Sequence, residues 1–93
     1  MKGPVPGSVY RKVINAIHEN WRGGAPFAIW EVRDHAKVST SSARRIVTDL
    51  VDLRLLNYKR PAYASKHYRV VERWPVNVKD VIQNFELAKV LGI

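Results

Sequence analysis

No cysteine occurs anywhere in the 93 residues. Disulfide frameworks, thiolate-containing zinc sites and thiol catalysis are excluded with it. Long apolar runs are missing as well. No stretch could span a bilayer and no secretory leader pattern is visible, so the expectation is a soluble cytoplasmic protein without a membrane partner. Acidic residues are scarce: 8 Asp and Glu stand against 16 Lys and Arg, a net charge of +8. There is no internal repeat and no low-complexity tract. The three histidines, His18, His35 and His67, show no metal-ligand spacing. Nor is there a phosphate-cradling glycine loop, a nucleophile elbow or a carboxylate pair in distinctive context. The expectation is therefore no enzyme, no metal, no cofactor and no small-molecule ligand.

What remains is enough for one small domain. The chain is 46% hydrophobic and carries nine aromatics (three Trp, four Tyr, two Phe), sufficient for a single core. Its basic excess favours a polyanionic partner, nucleic acid or an anionic surface, over mere solubility. That excess is uneven. Counted along the sequence, residues 1–38 are net +3, residues 39–73 net +5 and residues 74–93 neutral.

Periodicity divides the chain into elements. Residues 1–7 read as a short flexible arm. Ser8 can cap a helix over 9–21, in which Tyr10, Val13, Ile14, Ile17 and Trp21 recur at three- and four-residue intervals. Gly23, Gly24 and Pro26 end it, and Phe27 falls on a short extended piece. A second helix over 29–36 buries Ile29, Val32 and Ala36, although Ala28 is a poor cap. After Lys37-Val38, Ser39 can cap a third helix of about 40–54. Its apolar side is Ala43, Ile46, Val47, Leu50, Val51 and Leu53; Ser41, Arg44, Arg45, Thr48 and Asp52 lie largely opposite. Two strands follow, one through Leu56 and Tyr58 and one from His67 to Glu72, joined by a loop at 61–66. The last helix covers roughly 78–91, with Asn77 as cap and a wide apolar arc. The predicted class is mainly α with a small β-hairpin, α+β.

This order, and the run Val38, Ser39, Ser41, Ser42, Ala43, Arg45, Val47, Leu50, Leu55 and Leu56, resembles the winged helix-turn-helix family over residues 8–73. Lys37 and Arg54 stand where that family often has glycine, and a left-handed backbone costs a non-glycine residue about 1 kcal/mol. Arg33 replaces a small residue in the second helix. The resemblance implies double-stranded DNA binding, with the third helix in the major groove and the hairpin as a wing over backbone or minor groove. In size and in its extra C-terminal helix the chain is similar to PadR- and MarR-type regulators and to small archaeal, plasmid and viral proteins of this fold.

The residues themselves support roles within that frame. Arg45 can grip a guanine edge bidentately and Arg44 can reach a phosphate, against the plain alternative of a solvated helix face. Thr40, Ser41 and Ser42 offer hydroxyls to phosphate, Ser39 mainly caps, and Thr48 can touch a base. Asp49 and Asp52 would repel DNA unless they turn aside or pair with Arg45 or Lys12. In the wing, Lys59, Arg60, Lys66, His67 and Arg69 surround Tyr63, a composition suited to backbone tracking and equally to edge-strand protection. Lys66 near the tip is the first choice there. Trp21 reads as core, and Trp30 as partly exposed. Trp74, Val78, Val81, Ile82, Phe85, Leu87 and Leu91 of residues 74–93 are expected to form a homodimer interface, since so broad an apolar arc is rarely left open on a monomer. The expected function is a homodimeric transcriptional regulator of the nucleoid, reading a palindromic site. Two rivals are a plasmid or viral partition-site binder that recruits an ATPase, and a protein-interaction module without DNA binding.

Overall fold

The computed structural model describes residues 7–59 and 66–91. It is mostly helical with one two-stranded antiparallel sheet, an α+β arrangement in the order α1 (Gly7–Trp21), α2 (Ile29–Ala36), α3 (Thr40–Asp52), β1 (Leu56–Tyr58), β2 (Tyr68–Val70) and α4 (Val78–Leu91). Of the expected arm, residues 1–6 lie outside the described residues, and Gly7 already belongs to α1.

Local chemistry sets most of the helix ends. Ser39, with extended backbone, accepts the Ser42 amide on Oγ at 3.1 Å, which satisfies a donor that α3 would otherwise leave open. Asn77 does the same for the Lys79 amide at 2.9 Å. Ala28 has no side-chain acceptor to offer α2. There Glu31 reaches back instead, and its Oε1 accepts the Ala28 amide at 3.0 Å. The end of α2 falls on Lys37, which takes a left-handed conformation (φ 57°) and turns the chain into α3 within three residues. Arg54 does likewise (φ 62°) between α3 and β1, where the Arg73 guanidinium donates to its carbonyl at 3.2 Å. Both positions where the sequence departs from glycine are thus left-handed. Each carries a backbone cost of about 1 kcal/mol that glycine would avoid.

The strands are shorter than the alternation suggests. β1 and β2 pair as Leu56 with Val70, Asn57 with Arg69 and Tyr58 with Tyr68. On the far side of β2, Phe27 exchanges backbone hydrogen bonds with Tyr68 at 2.8 and 3.0 Å, so the extended piece before α2 adds one residue to the sheet. Phe27 also stacks on Trp21 with ring centroids 4.7 Å apart, joining α1 to the sheet.

A single core holds these pieces together. Val13, Ile14 and Ile17 of α1, Val32 and Ala36 of α2, Ala43, Ile46, Val47 and Leu50 of α3, and Leu56 and Val70 of the sheet are all buried in it. Val81 and Phe85 of α4, and Trp74 just before it, belong to the same cluster. This corrects the expectation for the tail. Trp74, Val81 and Phe85 do not face outward toward a second copy; they are covered by their own chain, because α4 folds back along α1. Three polar ties accompany that packing. Tyr10 Oη and Arg11 both donate to the Glu86 carboxylate, Arg11 at 2.9 Å. Trp74 Nε1 donates to the buried His18 Nδ1 at 3.0 Å. Val78 and Ile82 are half-buried against the core, while Leu87, Val90 and Leu91 are left on the outside, Val90 83% exposed and Leu91 70%.

Candidate functional site

The outer side of α3 is determined by the inner one. With Ala43, Ile46, Val47 and Leu50 buried, the 3.6-residue period leaves Thr40, Ser41, Arg44, Arg45 and Thr48 exposed and Ser42 half-buried. Ser42 is partly spent, since it also accepts a hydrogen bond from Ser39 Oγ at 3.0 Å. Arg44 and Arg45 are different: among the described residues neither guanidinium takes part in an ion pair. Each offers five N–H donors in a fixed fork and a positive charge. Burial and Tyr58 push the Tyr68 phenol above its ordinary value, and the Arg44 charge opposes them.

The acidic residues of α3 sit to one side. Asp49 is engaged by Lys89 of α4, Nζ to Oδ2 2.7 Å, rather than by Arg45 or Lys12. Asp52 lines the same crevice between α3 and α4. The ridge from Thr40 to Thr48 therefore presents hydroxyls and positive charge, with its carboxylates drawn to the α4 side.

Lys37 and Arg33 extend that ridge and were not among the residues singled out for it. Lys37 is exposed at the turn before α3, and Arg33 Nη1 comes within 3.5 Å of Thr40 Oγ1 while its Nε donates to Asp34. The signal for Lys37 was present in the left-handed turn position. Nothing local marks Arg33, whose placement depends on how α2 and α3 cross.

In the hairpin the expected residues are only partly brought together. Arg60 and Tyr63 lie outside the described residues. Lys59 and Arg69 are exposed on the sheet face opposite Leu56 and Val70, and with Asn57 they line a groove of about 340 Å³. Lys66, the first choice in the wing, is not an unengaged cation: its Nζ lies 3.3 Å from Glu31 Oε2, on a carboxylate only 15% exposed. His67 is half-buried, stacked beside Tyr68 and edge-on to Tyr58, its Nδ1 without a hydrogen-bond partner among the described residues. Packing, more than charge, accounts for it. Tyr58, 51% exposed and beside Tyr68, is an aromatic surface next to α3 that the candidate set had not included.

The arrangement offers hydrogen-bond donors in excess and charge of one sign. Among the described residues no group of His, Asp and Glu is placed to hold a metal ion, and no helix is long and apolar enough to cross a membrane. No known family, curated protein or solved structure matches the chain.

Proposed function

We propose that the chain is a sequence-specific double-stranded DNA-binding protein with a winged helix-turn-helix fold, acting as a transcriptional regulator. One observation carries the reading: among the described residues two adjacent arginines on the outer side of α3 take part in no ion pair and stand among exposed small hydroxyl residues, with the neighbouring carboxylate already engaged elsewhere. In this reading α3 lies in the major groove. Arg45 meets a guanine edge, and Arg44, Thr40, Ser41 and Lys37 meet phosphates. Lys59 and Arg69 of the hairpin track the backbone alongside.

The protein acts as a homodimer. With Trp74, Val81 and Phe85 enclosed, the second copy meets the outer apolar strip of α4, Leu87, Val90 and Leu91. Two-fold pairing then calls for a palindromic site with half-sites about one helical turn, roughly 10 bp, apart. Selection of bound duplexes from a randomised pool tests both statements at once. The expected result is a palindromic consensus that loses preference at one position per half-site in Arg45→Ala. Recovery of no consensus, or equal loss on selected and random duplexes, would remove the base-reading role. Sedimentation equilibrium of the free protein, with Leu87→Glu as the control, tests the dimer.

A further inference from the structure

Asp49 lies four residues after Arg45 on α3, the spacing at which helical side chains of opposite charge pair. They do not pair here, because Lys89 reaches across from α4 and takes Asp49 Oδ2 at 2.7 Å. Lys89 is itself well placed for that. Its ammonium lies 5.3 Å from the centre of the buried Phe85 ring, and the carboxylate nearest on its own helix, Glu86, is already taken by Tyr10 and Arg11. Both members of the Lys89–Asp49 pair are partly shielded, with side chains 41% and 28% exposed. The pair joins α3 to α4 at the rim of the crevice between them.

We propose that Lys89 is a positioning residue for DNA reading: by holding Asp49 toward α4 it keeps the Arg45 guanidinium open for a base. The inference rests on the DNA-binding reading and gives the tail helix a part in it beyond completing the core. Without Lys89, Asp49 turns back one helical turn and closes on Arg45, and each binding event must first break that pair. Two effects then separate. The lost positive charge weakens binding to every sequence alike, whereas sequestration of Arg45 weakens only discrimination.

The ratio of affinity for a selected duplex to affinity for a scrambled duplex of the same length isolates the second effect. In Lys89→Met that ratio falls about two-fold, the size of one helical ion pair. Lys89→Arg retains the wild-type ratio. The double variant Asp49→Asn/Lys89→Met, with the same net charge as wild type, restores it, and in an Arg45→Ala background Lys89→Met no longer changes it. A readout without DNA accompanies these: the Arg45 Nε–Hε proton exchanges with water more slowly in Lys89→Met than in wild type. A wild-type chain that discriminates no duplex from random DNA removes the DNA reading and this proposal with it. A wild type that discriminates, with an unchanged ratio and unchanged Arg45 exchange in Lys89→Met, overturns the proposal alone.

Discussion

Two amphipathic helices of similar length, α3 and α4, use their charges in opposite ways. Both bury one apolar side in the same core. On α4 the charges nearest the core are spent within the chain: Glu86 on Tyr10 and Arg11, Lys89 on Asp49. The outer side that remains is apolar toward its end. Among the described residues the cations on the outer side of α3 are not spent on carboxylates, and only the acid that would spoil them is. An unspent cation on a helix whose other face is fixed costs the fold nothing to keep and little to lose. The DNA-binding reading proposed above gives it a partner outside the chain. By the same measure α4 is first a structural element, and its exposed apolar strip is where the proposed second copy would sit.

The sharpest way to break this comparison is to treat α4 as dispensable. If it is integral, Phe85→Ala lowers unfolding stability by about 3–5 kcal/mol in a urea titration, as expected for a buried aromatic truncated to a cavity. A cost below about 1 kcal/mol would mean α4 is merely appended. Next in size, Arg45→Ala costs about 1–3 kcal/mol on a selected duplex and relaxes its base preference, with little change in stability, when binding and melting are measured side by side.

A third prediction concerns the joint between α1 and the start of α4. Burial first, then the nearby Arg22 charge, hold the His18 imidazole below its ordinary value of 6.5, with Glu19 opposing. The folded state thus binds its proton less readily than the unfolded chain. Stability is full above about pH 6.5 and declines as pH falls through that value toward the folded one. Denaturation midpoints between pH 7.5 and 5 should show this decline, and His18→Gln should flatten it. Ser39→Ala is smaller, about 1 kcal/mol of stability from the lost α3 cap. Smallest of all is Lys66→Ala. Because Lys66 is engaged by Glu31, it should reduce the salt dependence of DNA binding by less than Arg69→Ala does.

The helices were largely legible because their signals are local. Ser39 and Asn77 announce caps, and the spacing of Ile46, Val47 and Leu50 or of Val81 and Phe85 announces buried faces. What those faces meet is a different matter. Periodicity shows that Val81 and Phe85 are covered, not whether by this chain or another, so the docking of α4 on α1 was misread as contact between copies. The same limit hid the pairs Lys66–Glu31 and Lys89–Asp49, each joining residues more than thirty positions apart. Single residues can meet by long-range packing without leaving any pattern in sequence. Lys37 and Arg54 were visible only through the glycines that the resemblance places there; both have left-handed backbones.

The proposed function requires the outer side of α3 and the adjoining hairpin to be a cationic surface that takes the anionic backbone of DNA. Binding of the wild-type chain to duplex DNA across a titration of salt tests it most directly. With Arg44, Lys37, Lys59 and Arg69 each neutralising one phosphate, log affinity should fall by about 3 to 4 for each unit of log salt concentration, about 0.9 per contact. A flat dependence, or no binding to duplex DNA at low salt, would contradict it.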